Sequence, residues 1–184
     1  MAISASDIKF KLAIKTGSAG NSAAQPDPDE SLGKYISTTE LSGTALNNLF
    51  DDMSGSENAG ETAEYRCVFV HNAHGSLTLT DAKLYLSGGD PAGGADVALA
   101  VDTTAASAIG SASAQALEAT TAYAPGAPIT GLSYSAPSTA GEGLDLGDID
   151  AGDCKAFWVR RTGADTSAVT PETATLAVSG NTAA

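Results

Sequence analysis

Apolar and polar positions alternate along most of this chain, and the alternation predicts strands. The most informative run is Glu64 to Ser87. Tyr65, Cys67 and Phe69 share one face, with Val68 and Val70 on the other. So apolar a run, β-branched and aromatic, predicts a strand covered on both sides. Asn72 to Ser76 break it, and Gly75 is free to take a positive φ. Leu77 and Leu79 then occupy odd positions, whereas Ala82, Leu84 and Leu86 occupy even ones. Side chains of a regular strand alternate strictly, so this phase slip predicts a bulge or bend at Asp81. The expected unit is a bent antiparallel hairpin whose apolar face needs a second sheet to cover it.

Further strands follow from the same period. Residues 7–15 place Ile8, Phe10, Leu12 and Ile14 on one face and Lys9, Lys11, Ala13 and Lys15 on the other. Weaker or shorter strands are expected over 32–41, 96–101, 129–134 and 173–179. A turn of helix is expected over 44–53, where Leu46, Leu49 and Phe50 share a face and Ser42 or Thr44 can cap the start. The stretch 144–163 holds a Gly147 corner, a tight turn at 150–153 and a strand from Cys154 to Arg161. Alternation leaves two options for the inward face of that strand, Phe157 with Val159 or Trp158 with Cys154 and Ala156; we place Phe157 and Val159 inward, and Trp158 against the N-terminal arm or an interface. Residues 16–31 carry Gly17, Gly20, Pro26 and Pro28 and no periodicity, which predicts a loop that orders on docking. The organisation expected is an N-terminal arm over 1–62 and a β-sandwich over 63–184. A long insert near 103–128, rich in Ala, Ser and Thr, interrupts the sandwich and carries a short helix near 113–119.

Composition narrows the partners. Nine Lys and Arg stand against 22 Asp and Glu, for a net charge of -13 over 184 residues. Binding to nucleic acid or to an anionic membrane needs a basic face, and none is visible. Charged residues make up only 17 % of the chain, too few for a disordered acidic tail. The first residues alternate apolar positions with Lys9, Lys11 and Lys15, so no apolar leader segment forms, and synthesis in a cytoplasm is expected. No run is long enough to span a bilayer.

Candidate chemistry is sparse. His71 and His74 stand three apart at the expected hairpin tip, where a solvated turn accounts for them; zinc wants three or four ligands. The acidic loop 51–61 fails the EF-hand pattern, with Met53 at its third position and Ser56 at its sixth, where glycine is required. There is no GxSxG elbow, HExxH, CxxC or phosphate-cradling GxxxxGK[ST]. One Trp and five Tyr are few for a sugar-binding cleft. The expectation is a protein that is not an enzyme and holds no metal or cofactor. Cys67 and Cys154 read as two small buried hydrophobes, with a disulfide between facing strands as the alternative.

The stretches VFVHNAHGSLTLTDAKLYLS and LDLGDIDAGDCKAFWVRR resemble Ig-like sandwiches found as accessory modules in bacterial and phage proteins. Gly147 and Gly152 match a corner that feeds the next-to-last strand there, while the insert near 103–128 departs from the pattern. With LSGTALNNLFDDMSGSENAGETAEYRCVFVHN included, the chain also looks like structural proteins of tailed bacteriophages. That resemblance implies a virion component on the capsid exterior, a head decoration or cement protein bound to the major capsid protein and to neighbouring copies of itself. A tail or baseplate component and a glycan-binding module at loop tips are the alternatives. The residues singled out as an interface are Lys9, Lys11, Lys15, Trp158 and Arg160. For the lysines, the competing reading is a solvated, edge-protecting strand face. For the adjacent arginines, one is expected to pair internally with Asp148, Asp150 or Asp153 while the other reaches a partner carboxylate.

Overall fold

The computed structural model describes residues 2–16, 20–45, 47–88, 94–119, 129, 131–167 and 173–182. Among the described residues, nine strands carry the fold: β1 (Ile8–Ile14), β2 (Tyr35–Glu40), β3 (Ala63–Asn72), β4 (Leu79–Gly88), β5 (Asp96–Val101), β6 (Ser107–Ala108), β7 (Leu144–Ile149), β8 (Asp153–Thr162) and β9 (Thr175–Thr182). One sheet has the order β2-β1-β3-β8-β5, with β6 also paired to β8; the other has the order β7-β4-β9. Every pairing is antiparallel. The protein is an all-β sandwich, as the alternation predicts.

The larger sheet is buried on both faces. Val68, Val70, Phe157, Val159 and Leu99 face the smaller sheet, where they meet Leu79, Ala82, Leu84, Leu86, Leu146 and Ile149. On the opposite face, Tyr65, Cys67, Phe69, Ala156 and Trp158 meet Leu32, Ile36, Ala116, Ala119 and Ile129. The two faces of β3 therefore belong to two cores, and so do those of β8: Phe157 and Val159 face the smaller sheet as expected, while Cys154, Ala156 and Trp158 are buried on the other side. Cys67 stands opposite Trp158, and Cys154 opposite His71. Four positions along a strand is about 13 Å, well beyond the ~7 Å that a disulfide spans between Cα atoms. Both thiols are free and buried.

The expected β3–β4 hairpin is not formed. β3 pairs with β1 and β8, whereas β4 pairs with β7 and β9. The apolar faces of the two strands cover each other across the core instead of lying side by side. The phase slip is where the alternation places it. Asp81 takes φ 52, the ladders on both sides of β4 shift there, and Leu79, Ala82, Leu84 and Leu86 all turn inward. Asp148 Oδ1 accepts the freed Asp81 N–H at 3.0 Å. Asn72 pins the two crossings between sheets, β3 to β4 and β7 to β8. Its Nδ2 donates to Leu77 O and Ile149 O at 2.8 and 2.9 Å, and its carbonyl accepts Gly152 N–H at 2.8 Å. Gly147 and Gly152 lie at φ 74 and 81, the left-handed region that a side chain disfavours.

The first 62 residues are not an arm. β1 is an interior strand and β2 lies beside it, because both faces of β1 carry side chains the two cores need. Residues 20–25, expected as loop awaiting a partner, run along β2: Asn21 N–H donates to Ile36 O at 2.6 Å and Thr38 N–H to Ala23 O at 2.9 Å. The described part of 44–53 is turn and bend. The helix forms later as α1 (Gly55–Ala59), where Ser54 and Glu57 make a capping box. In the insert, residues 113–119 are not helical but pack on the larger sheet. Gln115 N–H donates to Lys34 O at 2.6 Å, and Ala119 N–H to Leu32 O at 2.9 Å. Residues 120–128, the rest of the insert, lie outside the described residues. The described residues of the strand expected over 129–134 form no strand, and Ser135, just beyond them, makes a single bridge to Leu99.

Candidate functional site

The residues expected to form an interface do not come together as one. Lys9 pairs with Glu40 at 3.5 Å. Lys11 is only 8 % exposed, because residues 20–25 close over that face and its Nζ donates to Asn21 Oδ1 at 2.9 Å. Lys15 lies half-exposed beyond the end of β1. Trp158 is 0 % exposed; its Nε1–H donates to Asp102 Oδ2 at 2.8 Å, and Gly33 lies against its ring. It packs on N-terminal residues and is no surface contact. Arg160 lies over the Tyr134 ring at 5.1 Å. The internal partners expected for the arginines are also corrected: Arg161 binds Glu64 and Asp51, since its strand position faces the core between the sheets and not the β7–β8 turn.

Around Arg161 lies a cluster the sequence reading missed. Glu64, Arg66 and Arg161 share the inward face with Val68 and Val159. Glu64 is 1 % exposed. Arg161 donates to the Glu64 carboxylate, to Asp51 O and, at 3.2 Å, to Asp51 Oδ1. Arg66 donates to Asp29. The Phe50 ring lies against both guanidiniums, 4.9 Å from Arg66 and 4.8 Å from Arg161. Each contact places a cation against the negative ring face. Burial pushes the Glu64 carboxyl above its usual range, against the pull of Arg161 and then Arg66. The cluster holds Phe50 and Asp51 against the inward face of β3 and β8. Its sequence signal is Glu64 and Arg66 at even positions of a strand whose later even positions are Val68 and Val70; charges in such places need partners.

His71 is 6 % exposed, not solvated as expected, and neither ring nitrogen finds a partner. Its proton affinity is lowered by burial and then by Lys11. His74 does lie in the turn, with Nδ1 accepting from the N–H groups of Ser76 and Leu77. Burial raises the Cys154 thiol to about 12 and the Cys67 thiol well above its ordinary value. In the acidic loop, Asp51 is taken by Arg161 and Glu57 by the α1 cap. Among the described residues, no group of three His, Cys, Asp or Glu is placed to hold a metal. Asp102 organises the insert: it accepts from Trp158 Nε1, Thr104 N and Leu117 N at 2.8 to 2.9 Å.

What remains open is one side of the sandwich. Of the larger sheet's edges, β2 is covered by residues 20–25, and β5 is bridged at Leu99 by Ser135, with N–H···O distances of 2.7 and 2.9 Å across the latter pair. In the smaller sheet, β7 is guarded by Asp145, Asp148 and the Gly147 kink. β9 has no charge, no proline and eight residues. Among the described residues, its outer edge makes no backbone hydrogen bond. Beside it lies a groove of about 880 Å³, whose lining includes Phe10, Leu41, Phe50, Asp52 and Leu176. Compared with protein-family models, curated proteins and solved structures, the chain matches none.

Proposed function

We propose that this chain is a structural protein of a tailed-phage virion, a decoration or cement protein on the outside of the capsid, with an Ig-like sandwich as its body. It works by adhesion to the major capsid protein and is not an enzyme. The observation that carries the reading is how the polar groups are used. Lys9, Lys11, Arg66, Arg161, Asp102 and Glu64 all close internal contacts. Among the described residues, an element left available is the uncharged edge of β9, beside a groove lined by apolar side chains together with Asp52 and the Asp51–Arg161 pair. A scaffold buried on both faces of its main sheet, with an unguarded edge, suits contact between macromolecules better than bond-making. The described part of the insert packs on the sheet, so it is not free for recognition at a loop tip.

A protein that binds only the assembled shell stabilises that state by mass action, and many identical sites multiply the effect. Heads stripped of the protein are expected to melt at lower temperature and to burst more readily at low salt than coated heads, with re-addition restoring both. Equal melting of stripped and coated heads rejects the cement role.

A further inference from the structure

The open edge of β9 calls for an occupant. A strand edge presents unpaired N–H and C=O groups, and proteins normally guard such edges with charge, proline, a bulge or a covering segment. Among the described residues, β2 is covered along its length, β7 carries acids and a kink, β5 is bridged at Leu99, and β9, Thr175–Thr182, has none of these. The larger sheet also runs past β9 on this side. Ile3, Ile8, Phe10 and Leu41 are half-buried there against the core between the sheets. Leu41 and Phe10 line the groove with Leu176 at one end of β9, and Ile3 N–H reaches Thr182 Oγ1 at the other end, 3.3 Å away. An apolar shelf thus runs alongside an unpaired backbone.

We propose that this edge and shelf accept an extended segment of a basic partner protein as a fourth strand of the smaller sheet. This rests on the adhesion reading above and names its contact. Backbone pairing with β9 supplies register, and alternate apolar side chains settle on Ile3, Ile8, Phe10 and Leu41, the mode by which sheet edges capture peptides. The sign of the partner follows from charge. Asp52 is exposed at the groove, where Asp51 is already paired with Arg161, and the chain carries -13 overall. Lysine or arginine near one end of the segment is therefore attracted, whereas a second copy of this chain is repelled.

The test uses the full chain and a capped peptide of alternating valine and threonine with a lysine at each end. Amide hydrogen exchange and titration are read together. Expected is slowed exchange at alternate residues of 175–182, and weaker binding of the same peptide ended in glutamate. Ile3→Ser and Leu41→Ser should each weaken binding about tenfold, as lost burial of one aliphatic side chain implies. Asp52→Asn should narrow the preference for lysine ends, and a peptide N-methylated at alternate amides should not bind. Absent protection of β9 at millimolar peptide, or equal binding of the N-methylated peptide, overturns the proposal. So does a concentration-dependent dimer that protects β9 without peptide, which assigns the edge to a second copy. Peptide capture at β9 together with heads that melt alike with and without the protein supports the acceptor edge and rejects only the shell assignment.

Discussion

Replacing Arg161 by methionine isolates the cluster around Glu64. Methionine keeps most of the stem and removes the guanidinium, which donates to Glu64 and to both the carbonyl and carboxylate of Asp51. Glu64 then stays at 1 % exposure with Arg66 as the remaining cation acting on it, and Phe50 loses one of its two guanidinium neighbours. Removing one partner of a buried pair costs about 3–5 kcal/mol, because the other charge remains out of water. Native stability is about 5–15 kcal/mol, so the change removes a large share of it. At about 2–4 °C per kcal/mol for a chain of this length, the melting temperature should fall by roughly 10 °C.

The dependence on pH gives a second, sharper reading. The Glu64 carboxyl already sits above its ordinary value, chiefly through burial, and loss of Arg161 raises it further. A folded-state value above the unfolded one means that the folded chain holds a proton the unfolded chain releases. The contribution is therefore fully present below the unfolded value and is lost as pH rises through the folded one. Urea unfolding of the variant should show its smallest deficit in acid and a growing deficit toward neutrality. Glu64→Leu combined with Arg161→Met should recover most of the loss, since an apolar pair of similar volume often replaces a buried ion pair without cost. A single variant within about 1 kcal/mol of the parent at pH 7, well under the cost of an orphaned buried charge, refutes the argument. So does a double variant as weak as the single one.

Other sites give independent checks. Asp81→Val puts a β-branched residue at φ 52 and should cost about 2 kcal/mol in urea unfolding, whereas Asp81→Gly should fold normally. His71 faces Lys9 across β1 and Cys154 across β8, with Lys11 and Glu40 acting on it. Its folded-state value is depressed, so its stability contribution is present above about 6.5 and lost as pH falls below that; His71→Leu should flatten the urea midpoint between pH 7 and 5. Cys67 and Cys154 should resist thiol reagents until denaturant is added, and reaction of either at native stability would contradict their burial. Asp102→Ala strands Trp158 Nε1–H and two backbone N–H groups. It should destabilise by about 2–3 kcal/mol and shift Trp158 fluorescence, while unchanged emission would mean the indole contact is not made in solution.

The fold was legible where side-chain alternation carries the information. Period two located the strands, the doubly apolar β3 and the slip at Asp81, because each is a local consequence of which face a side chain occupies. Pairing is not local. The run 64–87 fixes which residues of β3 and β4 are apolar, but the same pattern suits strands lying side by side or face to face, and the structure takes the second. The lysines of β1 misled for a related reason. Lys11 reads as wet by its type, yet residues 20–25 close over it and Asn21 receives its Nζ. Coverage by an irregular segment leaves no periodic trace in either partner. The helix expected over 44–53 had the right apolar spacing, but Phe50 and Asp51 are drawn to the arginines of β3 and β8, and the capping box starts helix only at Ser54.

The same division explains why the charged residues were harder to place than the apolar ones. An aliphatic position needs only a face to bury, and the period supplies it. A buried charge needs a particular partner, and Arg161 finds Glu64 on an adjacent strand and Asp51 on a segment 110 residues away. Such pairing removes charge from the surface selectively. It neutralises the cations first, since nine must serve 22 acids, and it leaves the excess acid exposed. An excess of one sign discourages contact between like copies while favouring basic partners, so the uncharged edge of β9 is the place where backbone pairing meets least electrostatic resistance. The internal ion pairs and the open edge are thus two results of one imbalance in composition. Adding lysine to β9 where no cation stands opposite, as in Ala177→Lys facing Tyr85 of β4, should affect partner binding more than it affects folding.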